Sequence, residues 1–434
     1  MKRYDSYKDS GIEWIGEIPS HWEIKNLRKQ PFNFEVGKRK ETEEKEVISI
    51  GGEHIQNEKF SFQNMRFVSN SFFEDSKNGK IKIGDTLLVK DGATIGKAMY
   101  VSKMPYEKML LNEHVYKIEA NKFLYYVIIS NPSQFQFWMN NQSSAQESIT
   151  SETLKSFNFC WPEKSEQLTI SAYLDKKTSE IDRMIADKEE LLKLYEEEKT
   201  AVINQAVTKG INPKVKMKDS GIEWLGEIPE HWETVKLNGI CNLVRGNTNF
   251  KKDELLSEGK YVALQYGKTY KVNEVNNKYQ FYVNDEFYKA SQIVNYGDVI
   301  FISTSETIED LGHSVYYNRK DIGLLGGEQI LLKTRMEIIN GKYLYYSSIT
   351  FAKELRKYAT GIKVFRFNIN DLKKTYIAFP PIKEQQSIVD FIESETTRID
   401  TKIKDTQKLI ELLKEYRTAL ISEVVTGKVK VIQD

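Results

Sequence analysis

The sequence predicts an α+β fold. Two similar mixed α/β domains are separated by two long helices that form an antiparallel coiled coil, and the whole is a pseudo-two-fold internal repeat. Three observations lead there. A 15-residue segment at Asp9–Glu23 recurs at Asp219–Glu233 with 13 identities. Each half closes with a glycine- and proline-free stretch carrying apolar residues at heptad spacing. Between these ends the halves diverge into short apolar runs broken by turn residues.

The repeat sets the domain order. Asp9-Ser-Gly-Ile-Glu-Trp-Ile-Gly-Glu-Ile-Pro-Ser-His-Trp-Glu23 returns 210 residues later with only Ile15→Leu225 and Ser20→Glu230 changed. A second match closes each half: Glu166-Gln167 with Glu384-Gln385, Ile181-Asp182 with Ile399-Asp400, Val207-Thr208 with Val425-Thr426. In the middles only short landmarks are shared, Gly84-Asp85 with Gly297-Asp298 and Leu124–Tyr126 with Leu344–Tyr346. A period this long, present twice, is a duplicated unit and not a solenoid. Two such units pair most simply about a pseudo-two-fold axis. The expected domains are residues 1–162, 163–210 (first long helix), 211–380 and 381–434 (second long helix).

Ser165–Thr208 and Ile382–Thr426 each span about 44 residues, roughly 66 Å as helix. Ile181, Lys188, Tyr195 and Val202 are seven apart, as are Ile185, Leu192, Lys199 and Ala206. Downstream the rows are Ile399, Thr406, Leu413 and Leu420, with Ile403, Ile410, Arg417 and Val424. This is an a/d pattern with polar interruptions, so Ile181, Ile185, Leu192, Tyr195, Val202, Ile399, Ile403, Ile410, Leu413 and Leu420 are the expected coiled-coil residues. Leu191, Leu194, Ile203, Leu409, Leu412 and Ile421 widen the stripe beyond a two-helix seam. They leave apolar surface for a partner or for the globular domains. Gly210 and Gly427 are the expected helix stops. A two-fold perpendicular to the pair makes the helices antiparallel and puts a variable domain at each end of a rod. Such a molecule suits two separated DNA half-sites.

In the middles, Ile81–Val89 reads as strand, turn, strand, with Tyr296–Ile302 as its counterpart. Polar loops follow, Lys90–Lys97 and Ser303–Asp310. Loops on a rigid scaffold carry recognition residues, and Arg, Lys, Asn, Gln, Ser and Thr read base edges or hold phosphates. The DNA-contact candidates are therefore Lys38, Arg39, Lys90, Thr94, Lys97, Gln142, Ser144 and Gln146 in the first half, and Arg245, Asn247, Thr304, Ser305, Thr307, Lys363 and Arg366 in the second. Ordinary solvated surface is the competing reading for each.

Composition narrows the function classes. Net charge is only +1, but it is unevenly spread. Glu163–Thr208 holds 11 acidic and 7 basic residues and Pro381–Thr426 holds 9 and 7, which leaves a modest basic surplus elsewhere. Phosphate affinity then needs help from a partner. No run approaches the ~18 apolar residues of a membrane span, and no apolar signal region follows Met1. Cytoplasmic location is the expectation. Cys160 and Cys241 have no metal-ligand spacing, so neither a disulfide framework nor a metal site is expected.

Catalytic motifs are weak. Gly92-Ala-Thr-Ile-Gly-Lys97 resembles a phosphate loop but is one residue short between its glycines, and Ala98 replaces the metal-binding Ser or Thr. Phe379-Pro-Pro-Ile382 lacks the polar residue and the aromatic of an adenine-methylating site and reads as a rigid lead into the second long helix. His21 and His231, beside Trp22 and Trp232, read as structural. Trp14, Trp22, Trp224 and Trp232 read as core anchors or a docking surface, with the core favoured. No catalytic residue is assigned.

Ser10-Gly-Ile-Glu-Trp-Ile-Gly-Glu-Ile-Pro19, its copy at Ser220–Pro229, and Pro381-Ile-Lys-Glu-Gln385 running to Leu420-Ile-Ser-Glu-Val-Val-Thr-Gly427 resemble the specificity subunit of type I restriction-modification systems. The resemblance spans essentially the whole chain. It implies that residues 1–162 and 211–380 are target recognition domains, each reading half of a bipartite double-stranded DNA sequence. It implies a coiled coil that sets the spacer, in a bacterial or archaeal cytoplasm. Implied partners are two adenine-methylating modification subunits and two ATP-driven restriction subunits. The resemblance further implies a complex that uses S-adenosylmethionine, ATP and Mg2+, with none bound by this chain, and a non-catalytic role for the chain itself. Two departures stand out. Pro162-Glu-Lys-Ser-Glu-Gln167 lacks the family's doubled proline. The loops after Gly84-Asp85 and Gly297-Asp298 are unlike, which implies an asymmetric target. The competing class is a coiled-coil adaptor that never touches DNA.

Overall fold

The structure, a computed structural model, describes residues 2–29, 32–56, 59–142, 148–361 and 363–431. The chain divides into two compact units, Met1–Glu189 with Gln407–Asp434, and Glu190–Thr406. Each unit therefore owns part of both long helices, Lys164–Lys209 and Ile382–Val425.

Both units are built on one topology. In the first, an antiparallel sheet has the order Ala98–Tyr100, Asp85–Val89, Val115–Glu119, Asn33–Val36. In the second, Ser314–Tyr317, Val299–Ile302, Gln329–Thr334 and Cys241–Arg245 follow the same order, with Glu274–Val275 added at the edge. A smaller sheet accompanies each. Met109–Leu111 runs parallel to Val47–Ile50 in the first unit, and Gly323–Leu325 runs parallel to Tyr261–Leu264 in the second. The expected strand at Ile81–Ile83 does not form. Gly84, at φ +97, turns the chain there, and the Asp85 carboxylate accepts from Lys82 N at 2.7 Å. Asp298 does more, accepting from Asn295 N and Thr334 N, both at 2.8 Å. The shared Gly-Asp is thus a turn lock. Burial raises the pKa of both carboxyls despite these bonds.

The long helices close each unit. In the first unit, Arg417 Nε and Nη2 grip Asp182 at 2.8 and 3.2 Å, and Lys414 lies 4.0 Å from Glu189. In the second, Lys199 meets Asp400 at 2.6 Å, Arg398 meets Glu198 at 2.8 Å, and Lys402 sits over the Tyr195 ring. In both, rising numbers on one helix meet falling numbers on the other, so the segments run antiparallel. All ten expected coiled-coil residues are buried or half-buried: Ile181, Ile185, Ile399, Ile410 and Leu420 fully, and Leu192, Tyr195, Val202, Ile403 and Leu413 in part. The widening residues divide. Ile203 and Ile421 are buried, whereas Leu194, Leu409 and Leu412 are exposed.

Each repeated opening caps a helix end. Gly210 and Gly427 both adopt φ +73, a left-handed stop that glycine adopts without steric cost. Trp232 packs over Gly210, and Trp22 with Pro19 packs over Gly427, so the first opening serves the end of the second helix. Tyr7 OH donates to Gly427 O at 3.1 Å. His21 and Trp22 Nε1 meet Glu166 Oε2 at 3.1 and 3.0 Å, and His231 meets Glu384 at 2.8 Å. Gln167 and Gln385 donate to Pro162 O and Pro380 O at 2.8 and 2.9 Å. Trp22 and Trp232 are core. Trp14 is not: it stands at the hairpin tip, 41% exposed, with its ring 5.5 Å from that of exposed Phe135. Cys160 and Cys241 are free and buried, one in each unit.

Candidate nucleic-acid interface

Sheet register decides which loops meet. In the first unit Val36 pairs with Tyr116, Val89 with Val115 and Leu88 with Ala98. The loops holding Lys38, Arg39 and Lys90–Lys97 therefore leave one end of the sheet. Ile149 N donates to Lys90 O at 2.7 Å, which brings the chain after the helix Asn131–Gln142 to the same end. Ser144 and Gln146 lie outside the described residues, as does the Gln142 side chain.

Lys38, Arg39 and Lys97 are exposed, and Lys90 and Thr94 are half-buried. Each cation near a carboxylate is partly neutralised. Arg39 Nε donates to Glu41 at 3.0 Å, and Arg66 reaches the same oxygen at 2.9 Å. Hydrogen bonding from Arg66, joined by Arg39, holds the Glu41 carboxyl below its usual range. Lys90 lies 3.1 Å from Asp91, which also meets His114 Nδ1 at 2.7 Å. Val89 N donates to Lys97 O at 2.8 Å, so Lys90 and Lys97 flank the neck of a tight hairpin. A strand, Ala98–Tyr100, follows it, where a phosphate loop would lead into a helix.

The second unit repeats the layout with other residues. Arg245 pairs with Ile330, Ile302 with Gln329 and Phe301 with Ser314, which gathers the loops after Arg245 and Ile302 and before Gln329. Thr304 and Ser305 form a short strand against Phe365–Arg366, which adds Lys363 and Arg366 to the cluster. Arg245, Asn247, Thr307, Lys363 and Arg366 are exposed, whereas Thr304 and Ser305 are buried. Asn247 accepts from Lys289 Nζ at 3.2 Å, and Thr307 Oγ1 donates to Asp310 at 2.7 Å. Tyr266 OH donates to Thr304 O at 3.1 Å. Burial, then Tyr270, Glu306, Glu328 and Asp310, push its pKa up.

The residues named from the sequence do not include Glu41, Asp91, His114, Lys289 or Glu328. Asp91 adjoins Lys90 and Glu41 follows Arg39 by two residues, whereas only folding brings His114, Lys289 and Glu328 to the clusters. What both clusters offer is exposed cations and hydrogen-bonding side chains held by a rigid sheet, a surface suited to phosphates and base edges. Among the described residues, no group of three or more His, Cys, Asp or Glu could hold a metal ion. No helix among them is long and apolar enough to cross a membrane.

Comparison with known proteins points the same way. Residues 22–193 and 229–412 each match the type I restriction modification DNA specificity domain. A Methanocaldococcus jannaschii protein, provisionally named the specificity subunit of the type I restriction enzyme MjaX, is 25% identical over 435 residues, 96% of each chain. A solved chain from work on assembly and conformational transition of the type I R-M system covers 95% of this chain and 99% of its own, with TM-score 0.70 and 14% identity. The HsdS subunit from Thermoanaerobacter tengcongensis covers 95% and 98%, with TM-score 0.56 and 14% identity. Two matched copies spanning most of the sequence, on a twice-used fold, place this chain in the family of type I restriction-modification specificity subunits.

Proposed function

We propose that each unit reads one half of an asymmetric, bipartite DNA target through the loop-bearing end of its main sheet. The paired long helices set the spacer between the half-sites. The chain contributes no catalytic centre. It serves as scaffold for two adenine-modifying subunits that use S-adenosylmethionine and two restriction subunits that use ATP and Mg2+, in a bacterial or archaeal cytoplasm. One observation carries this reading: a single strand order, used twice, presents unlike polar loops at the same end. A scaffold held constant while its loops differ is what reading two different half-sites needs. An adaptor that only joins proteins has no use for that difference. The exposed Leu194, Leu409 and Leu412 on the long helices supply apolar surface for the modification subunits.

The test is to replace Lys90–Lys97 with a Gly/Ser-rich loop of equal length and map methylated adenines in cells carrying the chain and its modification partner. The expected result is a changed or relaxed first half-site, with the second half-site and the spacer intact. Alteration of both halves, or of neither, overturns the reading.

A further inference from the structure

Within the second unit's loop cluster, Glu328 is held in a way its sequence does not announce. It is one of two non-glycine residues with positive φ among the described residues, at +62. The other, Asn64, belongs to a type that tolerates this region, whereas glutamate rarely adopts it. Its neighbours leave the backbone no slack. A Cβ on Gly326 would lie 2.4 Å from Leu264 O, and one on Gly327 would lie 3.0 Å from Asn249 Oδ1. Gln329, fully buried, donates from Nε2 to Leu264 O at 2.7 Å. Ser303 donates to Glu328 O from N and from Oγ, at 3.3 and 3.1 Å.

The side chain is equally fixed at one oxygen and open at the other. Thr304 Oγ1 donates to Glu328 Oε2 at 2.5 Å, and Arg366 Nη2 stands 3.9 Å from that same oxygen. Among the described residues nothing donates a hydrogen bond to Oε1, and the side chain is 46% exposed. Strained residues that the surrounding structure over-determines concentrate at functional sites.

We infer that the Glu328 carboxylate is a specificity-determining group of the second unit, taking a hydrogen bond from the exocyclic amino group of one base in that unit's half-site. The inference rests on the reading of this loop cluster as a DNA surface. A carboxylate only accepts, and phosphates repel it, so the favourable neighbour DNA offers is an amino donor. In the major groove that donor is cytosine N4 or adenine N6, while guanine O6 and thymine O4 set acceptor against acceptor. Glu328 therefore separates amino bases from keto bases at one position of the contacted strand.

The test uses the full chain with its modification partner and reads the methylated motif from genomic DNA. Glu328→Gly keeps the left-handed backbone without strain, and Glu328→Gln keeps the shape but adds a donor. With Glu328→Gly, preference for amino over keto bases should fall about tenfold or more at one position of the second half-site. The first half-site and the spacer should stay unchanged, with thermal stability equal or higher. Glu328→Gln should admit keto bases at that same position. A wild-type motif from both variants while Arg366→Ala alters the second half-site overturns the role of Glu328 alone. A wild-type motif from all three overturns the DNA-surface reading, and the inference with it.

Discussion

Gly427→Ala tests whether the first opening truly closes the second helix. Two penalties add. Alanine at φ +73 costs about 1–2 kcal/mol relative to glycine. Its Cβ would also lie 2.3 and 2.5 Å from Pro19 Cδ and Cγ, and 3.2 Å from Trp22. Pro19 cannot swing aside, because its strand pairs with Tyr7, and overpacking of this kind costs about 1–3 kcal/mol. The sum is about 2–5 kcal/mol. Gly210→Ala is an internal control: φ is the same, but the nearest atom is Trp232 Cζ2 at 3.2 Å, which a small ring shift relieves. Its cost should be about 1–2 kcal/mol. A two-unit chain need not unfold in one step, so hydrogen exchange of local peptides is the proper assay. Peptides covering Glu17–Glu23 and Leu420–Lys428 should lose protection by at least about thirtyfold in Gly427→Ala, since about 1.4 kcal/mol is a factor of ten. In Gly210→Ala, peptides around Glu227–Glu233 should lose about five- to thirtyfold. Equal losses at the two sites would refute the argument from clearance, and unchanged exchange at Glu17–Glu23 would refute the docking of opening on helix end.

Asp298→Ala should cost more than Asp85→Ala, because it strands two backbone N–H groups against one. At about 1–3 kcal/mol per unsatisfied buried group, the expected losses are about 2–6 and about 1–3 kcal/mol. Local hydrogen exchange reads both, and the reverse order would sink the turn-lock account. Burial pushes the Cys160 and Cys241 thiols up to about 12 from an ordinary value near 9. Above pH 9 the unfolded chain loses these protons while the folded one keeps them, so their contribution to stability, full below pH 9, is lost as pH rises toward 12. Disulfide-exchange reagents at pH 8 should label neither thiol in the native chain and both after denaturation. Rapid native labelling of either contradicts the burial. Inserting four residues into one long helix between Leu192 and Lys199 lengthens it by about 6 Å, roughly two base pairs of DNA at about 3.4 Å each. Mapping methylated adenines should show a spacer widened by about that amount, and an unchanged spacer would refute the ruler.

Much was legible in the sequence because it depends on periodicity or self-similarity. The heptad residues from Ile181 to Leu420 follow from the 3.5-residue repeat, and all ten lie buried or half-buried. The halves are visible because Asp9–Glu23 recurs, and the glycine stops at Gly210 and Gly427 because helices end that way. Tertiary structure alone decided the rest. Trp14 and Trp22 share a motif and both look like core, yet only Trp22 faces a helix end and is buried. Nothing local pairs the first opening with a glycine more than 400 residues away. Thr304 and Glu328 meet because strands Val299–Ile302 and Gln329–Thr334 are registered side by side. Helix rhythm and repeats are written within a few turns of chain, and a sequence displays them. Which loops converge depends on sheet register and on unit closure, set by packing between residues far apart in the chain.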